Sequence, residues 1–456
     1  MTTIIRGGTL VDEGRSQRAD LVVSDGHIAD IQPEGTHPGT SFSEEIDASG
    51  CLVLPGVIDS HVHFREPGMT HKADICSESR AAAAGGVTTW FDMPNCVPQT
   101  TTIEALADKQ QRAARTSMVN YAFYFGATSD NVGLFGQLDT TAVPGIKLFM
   151  GSSTGNMLVE SREALKAVFA EAAKLGLPVV AHCEDTTTIG RNMRMAQQRW
   201  GDDPDVALHA EIRSSEACVQ STRLATELAR VAGARLHVAH LSTADELSLI
   251  DGRLVTGELC VGHLVFCDED YQRLGTLIKV NPAIKTRADR DALCSFLTAP
   301  DDGPGRHLTV GTDHAPHLLS EKQGGAARAV SGMPMVQFSL PVMLGLADQG
   351  VLSVERVVQL MCNNPARYFG VSGRGYLRPG CHADITIVRR RPWTLRPEQI
   401  LSRCGWSPLT GHRFSWVVER TLCNGVTVYA DGRLADTPAG QAVRFDAFRG
   451  KTTHEQ

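Results

Sequence analysis

The stretch "LVLPGVIDSHVHFREPG", Leu52–Gly68, is an apolar run that ends in two histidines and an arginine spaced two apart. In a β-strand, residues i and i+2 share a face, so His61, His63 and Arg65 face one way if the strand runs that far. Two neutral imidazoles on one face can hold a metal ion, and Zn²⁺ accepts nitrogen ligands readily. Alone, His-Val-His is equally a buried, hydrogen-bonded histidine pair. The rest of the chain has to decide.

Downstream the pattern repeats. Short apolar segments, "GVTTWFDM", "VNYAFYFG", "GIKLF", "LPVVAH", "RLHVAH", "ELCVGH" and "HLTVGTD", alternate with helical stretches such as "SRAAAAGG", "SREALKAVFAEAAKLG" and "SSEACVQSTRLATELARVAG". That alternation is the signature of a parallel sheet with crossover helices. Together with the opening stretch it makes eight strands, which predicts an α/β fold with a (β/α)₈ TIM barrel over residues 55–375. A doubly wound open sheet is the alternative, but no glycine-rich phosphate turn follows the first strand. The small residues around 324–332 predict a mobile connection at the active-site face.

Both termini read as β. "TIIRGGTLV" and "ADLVVSDGHIADI" near the start, and "ADITIV" and "SWVVERTLCNGVTVYADGRL" near the end, alternate apolar and polar residues. Asp25-Gly26, Asn424-Gly425 and Asp431-Gly432 supply hairpin turns. Residues 1–54 and 376–456 are therefore expected to join into one small composite β-sandwich domain, since isolated hairpins are marginal.

In a parallel barrel all strand C-termini open on one face, where active sites sit. The candidate strands here end in His61 and His63, then Lys147, His182, His240 and Asp313. Packing does not explain four histidines and an aspartate at such positions, whereas a metal site does. A metal-bound water reaches a pKa of about 7. A carboxylate beside it, Asp313, can take the water proton and pass it to a leaving nitrogen. Lys147 does not fit as an ammonium, which would repel a cation. In the apolar "GIKLF" an amine can lose its charge by desolvation, and a neutral amine can add CO₂ to become a bridging carbamate.

Composition narrows the partners. The 456 residues are 42% hydrophobic and 21% charged with a net charge of −7, which argues against nucleic-acid or anionic-membrane binding and leaves a small-molecule substrate. No apolar run approaches a membrane span, and the N-terminus lacks a signal-peptide pattern. The twelve cysteines are scattered without a CxxC pair, as expected of reduced thiols in a cytoplasmic enzyme.

These residues resemble the cyclic amidohydrolase branch of the amidohydrolase superfamily, most closely the dihydroorotases. The likeness is carried by "PGVIDSHVHFREPGMTHKADICSESRAAAAGGVTTWFDMPN", "GIKLFMGSSTGNM", "AHCED", "HVAHLST", "KVNPAIK" and "GTDHAPH". It implies two Zn²⁺ per chain, one held by His61, His63 and Asp313 and the other by His182 and His240, with a carbamate on Lys147 bridging them. The lysine in "GIKLF" places the chain with the dihydroorotases that use a carbamylated lysine rather than an aspartate. Asp313 is the expected proton shuttle.

Substrate contacts are expected from Arg65, Asn95 and His317 to a ring carboxylate, and from Asn281 and the backbone at Gly332 to the ring amides. Thr154 in "SSTG" is a further candidate. His71 and Lys72 read as loop polar residues, and His263 and Cys260 have no assigned role. The resemblance also implies the reversible cyclisation of N-carbamoyl-L-aspartate to dihydroorotate in pyrimidine biosynthesis. It further implies a homo-oligomer, a dimer favoured, and association with aspartate transcarbamoylase. Allantoinase or hydantoinase-like activity is the rival, and an inactive scaffold would be expected to lack ligands that are all present here.

Overall fold

The computed structural model describes residues 2–36, 41–151 and 157–446. The opening stretch divides between two sheets. Cys51–Pro55 belongs to a nine-stranded sheet made by the termini, and Val57–Val62 is the first strand of the barrel. Gly56 is the switch between them: a Cβ there would lie 2.0 Å from Thr88 Oγ1, so only glycine lets the chain pass so close.

The barrel strands follow the expected order: Val57–Val62, Val87–Asp92, Asn120–Phe123 continued by Phe125–Gly126, Ile146–Phe149, Val179–His182, Leu236–Val238, Val255–Cys260 and Thr309–Gly311. Each is buried along its whole length, which is why they read as continuous apolar runs rather than alternating ones. All neighbours pair in parallel. The third strand breaks at Tyr124, so its first half pairs with the second strand and its second half with the fourth. The circle closes between the eighth strand and the first, through a bridge of Val62 with His314 and a bond from His63 N to His314 O of 2.8 Å. Asp59 reinforces that seam by accepting from Thr312 Oγ1 at 2.5 Å.

Capping residues set the helix starts. Asp74, Ser161, Asp185 and Ser214 each accept a bond from a backbone N–H in the first turn of Ile75–Ala84, Arg162–Leu175, Thr186–Trp200 and Ser215–Ala232. Two crossovers depart from the expected alternation. Only short 3₁₀ turns, Val132–Gln137 and Asp245–Leu249, link the third strand to the fourth and the sixth to the seventh. Glycine, proline and Asp-Gly segments in those stretches disfavour a longer helix. "ELCVGH" is also strand only as far as Cys260, and Val261–Val265 turns into helix.

The terminal strands form one mixed sheet around their own core. One apolar cluster draws Ile5, Leu21, Ile28, Ile46, Val53, Ile387 and Leu422 from strands across it. Asp25-Gly26, Asn424-Gly425 and Asp431-Gly432 all have both residues at positive φ, the geometry of two-residue hairpin turns. The second segment does not stay in the sheet. Trp406 Nε1 donates to His317 O at 2.7 Å, and Phe445 packs edge-on against Phe91 of the barrel at 5.6 Å. Residues 324–332, expected to be mobile, are anchored. Asp203 accepts from the Gly325, Ala327 and Arg328 amides, and Lys322 Nζ donates to the Val330 and Gly332 carbonyls.

Candidate active site

Every expected site residue except His317 lines one pocket at the C-terminal face of the barrel. Thr154 lies outside the described residues. His61 and His63 leave the first strand with both Nε2 atoms turned to Asp313 Oδ1, at 3.4 and 3.0 Å. Their Nδ1 atoms point the other way, His61 to Glu258 Oε1 at 2.6 Å and His63 to Asn95 Oδ1 at 2.7 Å. An acceptor on Nδ1–H fixes the tautomer and leaves Nε2 with its lone pair.

The second histidine pair is built differently, and His240 Nδ1 is buried with no hydrogen-bond partner. His182 Nε2 lies 2.9 Å from Glu184 Oε2, and Glu184 is held in turn by the Arg213 guanidinium. His182 Nδ1 then faces His240 Nε2 at 2.9 Å. The two groups adjoin, since the His61 and His240 rings are 5.3 Å apart.

Lys147 stands between them. It is fully buried, its Nζ has no hydrogen-bond partner, and burial pushes its pKa down to about 8. Burial likewise lowers His63 to about 4 and holds His240 well below the usual range, which leaves these two rings neutral. Burial opposes ionisation of Asp313, but the neighbouring His61 and His63 outweigh it and hold the carboxyl well below the usual range.

The backbone is strained at the same place. Among the described residues, seven that are not glycine have positive φ; Glu13, Asp25, Asn424 and Asp431 each precede a glycine in a hairpin turn. The other three are Arg65 (φ 66°), His240 (φ 40°) and Asp313 (φ 47°). Left-handed backbone costs a non-glycine residue roughly 1–3 kcal/mol and persists where the surroundings over-determine it. Here it aims three site side chains.

Arg65 is 3% exposed, with Nε donating to Pro316 O at 3.0 Å and Nη2 to His317 Nε2 at 2.9 Å. Among the described residues no carboxylate pairs with it. His317 is not a third donor to the pocket as expected. Its ring lies behind Arg65, with Nδ1 3.1 Å from Lys72 Nζ, so it positions the guanidinium. Lys72 is therefore part of this wall rather than a loop polar residue, and it pairs with Glu321 at 2.7 Å.

Gly332 also differs from expectation. Its N–H already donates to Lys279 O at 2.8 Å and its carbonyl accepts from Lys322. What it contributes is space, since a Cβ would lie 2.6 Å from Ala315 O. Asn281 does reach the pocket, with a buried Oδ1 that has no partner.

Sequence reasoning passed over Glu258, Glu184, Arg213 and the Glu78–His314 pair. Glu78 Oε2 accepts from His314 Nε2 at 2.8 Å, while His314 Nδ1 accepts from the Met335 and Val336 amides. That fixes the residue next to Asp313. The available signal was an acidic residue inside an apolar run, as in "VTGELC". Cys260, left without a role, lies beside Glu258 at 3.5 Å, and His263 Nε2 donates to Pro282 O at 3.0 Å.

The chain matches the Amidohydrolase family over residues 52–428. It is 35% identical over 437 residues to a dihydroorotase of Halobacterium salinarum, covering 93% of this chain and 99% of that protein. It is 36% identical over 465 residues to an allantoinase of Rubrobacter xylanophilus, covering 98% of each. Among solved structures, the L-hydantoinase of Arthrobacter aurescens superposes with a TM-score of 0.91 at 28% identity, over 97% of this chain and 99% of that one. The chain belongs to the amidohydrolase family and is a hydrolase of cyclic amides.

Proposed function

We propose that the enzyme is a dihydroorotase, interconverting N-carbamoyl-L-aspartate and (S)-dihydroorotate in pyrimidine biosynthesis. The observation that carries this reading is Arg65, a buried guanidinium in the pocket wall with a carbonyl and a neutral imidazole for partners. Burial lowers its pKa only to about 10, so it is charged at neutral pH. A buried cation is costly without a counter-charge. A ring carboxylate supplies one, and dihydrouracil or an unsubstituted hydantoin does not.

The ligand set fits a pair of divalent cations. Four imidazoles, the Asp313 carboxylate and the orphaned amine of Lys147 converge, and a carbamate on that amine would give two further oxygens. His61, His63 and Asp313 would hold one Zn²⁺ and His182 and His240 the other, with Lys147 between. When bound, the metals supply Lewis acidity toward the ring carbonyl and the water. The chain's own residues do the rest. Arg65 fixes the carboxylate, Asn281 accepts from a ring N–H, and Asp313 takes the water proton and delivers it to the departing ring nitrogen.

Metal analysis is expected to give about two zinc ions per chain, judged from the ligand number. The deciding assay compares dihydroorotate with dihydrouracil: kcat/KM should favour the carboxylated ring by at least tenfold. Equal values would overturn the assignment.

A further inference from the structure

One wall of the catalytic pocket is made by Asn281, Ser331 and Gly332, which come from two loop segments outside any helix or strand. Lys279–Asn281 follows the seventh barrel strand and Val330–Gly332 the eighth. One backbone bond ties them, from Gly332 N to Lys279 O at 2.8 Å.

The other tie is a side chain. Lys322, at the end of the turn Leu319–Lys322, directs Nζ between the two segments. It lies 3.1 Å from Lys279 O, 2.9 Å from Val330 O and 2.8 Å from Gly332 O, with the Trp406 ring centroid 5.9 Å away. Lys322 is 1% exposed, and lysines so buried are ordinarily paired with an acid. Among the described residues none pairs with it, and its neighbour Glu321 turns to Lys72.

Backbone dipoles take the place of that acid. Burial, with the charges of Lys279 and Arg65 nearby, presses the Lys322 pKa well below the ordinary lysine value. The carbonyls act the other way. Each only accepts, three acceptors call for three hydrogens, and a neutral amine has two. Rings of backbone oxygens hold free monovalent cations in the same manner. Lys322 is such a cation on a tether. Without it Val330 O and Gly332 O lose their donor, and a buried acceptor left unmet costs more than the bond gained.

We infer that Lys322 is a positioning residue for the hydrolysis: its ammonium, held by three backbone oxygens, draws the Lys279–Asn281 and Val330–Gly332 segments together into one wall of the pocket. It touches no reacting atom. Molecules lacking the link spend time with that wall apart, and their apparent affinity for the ring falls by the fraction that is competent. The inference rests on ring hydrolysis in this pocket and not on which ring is cleaved. The assay therefore uses whichever of dihydroorotate, dihydrouracil and hydantoin the enzyme turns over best.

The test uses the metal-loaded full chain. Lys322→Met keeps the length and bulk of the side chain without its charge. Its KM should rise by roughly ten- to a hundredfold with kcat within about threefold of the parent, the pattern of binding lost equally from ground and transition states. Metal content, measured on the same sample, should not change, because the histidines and Asp313 stand on other segments. Lys322→Ala lacks three methylenes and the ammonium. Propylammonium replaces those atoms and should lower the KM of this variant saturably, by roughly tenfold, as a ligand of the competent wall. Tetramethylammonium, which has no N–H, should leave it unchanged. A parent-like KM in Lys322→Met would overturn the inference, as would a folded Lys322→Ala on which propylammonium has no effect or no more than tetramethylammonium. Loss of the fold in both variants, with no recovery of Lys322→Ala by the amine, would overturn it too, since Lys322 would then be a general support and not the positioner of one wall.

Discussion

In the proposed reaction Asp313 has two duties, metal ligand and proton carrier, that a single substitution can separate from shape. Asp313→Asn is nearly isosteric but cannot accept a proton, so turnover should fall by roughly 10²–10⁴-fold, with zinc content measured on the same sample. Near-normal turnover at full zinc would remove it from proton transfer. Arg65→Met takes away the cation that the proposed function pairs with a substrate carboxylate. Loss of a buried charged pair costs about 2–5 kcal/mol, roughly 30- to several-thousand-fold in kcat/KM on dihydroorotate, while dihydrouracil should be barely affected. Equal losses on both rings would reduce Arg65 to a support for its loop. Glu258→Gln keeps an oxygen for His61 Nδ1 but loses its charge, and metal affinity should drop about 10–100-fold in a chelator competition. These roles were unequally legible. His61, His182 and Asp313 end or follow apolar runs, so the chain itself marks them. Glu258 sits within its strand, and nothing near it in sequence says which group it serves. Only the closing of eight strands into a circle brings it to His61, 197 residues away.

At the level of elements, the strands and the capped helices could be read because their signals are local: an apolar run, a serine or aspartate before a helix, Asn-Gly or Asp-Gly at a hairpin. Partnership between elements could not. The helix Ile103–Thr116 sends Lys109 into the barrel wall, where its Nζ pairs with Asp92 and both side chains are about 1% exposed. The other oxygen of Asp92 accepts from Phe64 N at 2.7 Å, immediately before the strained Arg65. A lysine in that amphipathic helix reads as solvent-facing until the strand beneath it is known. Lys109→Met leaves Asp92 buried and unpaired and should destabilise the protein by about 3–5 kcal/mol. Lys109→Met with Asp92→Asn should recover part of that loss, because the amide oxygen still receives Phe64 N. A thermal melt distinguishes the two, and equal melting temperatures for the single and double variants would show that the charge is not what matters.

For the whole molecule, the division into a barrel and a terminal sheet was visible as a change of pattern, but the traffic between them was not. The 403–406 segment returns to the barrel, where Arg403 N donates to Glu78 at 2.9 Å and Trp406 Nε1 to the carbonyl of His317. Those contacts depend on long-range closure, which no short stretch encodes. No helix among the described residues is long and apolar enough to cross a membrane.

The circle itself has an uneven strength. Between the first and eighth strands the Val62–His314 bridge and the Asp59–Thr312 clasp replace an extended ladder. His61 and His63 stand on one bank of that join and Asp313 on the other, so a cation gripping all three acts as a suture. Native-state hydrogen exchange reads this directly, because local opening sets the rate at each amide. Stripping the metal should speed exchange at the His63 amide far more than at Val180 in the continuous part of the sheet. Uniform acceleration would mean the join is no weaker than its neighbours. If the His63 amide responds first, the proposed ion also keeps the ring of strands shut, and an enzyme starved of metal would fail first as a scaffold coming unstitched along that join.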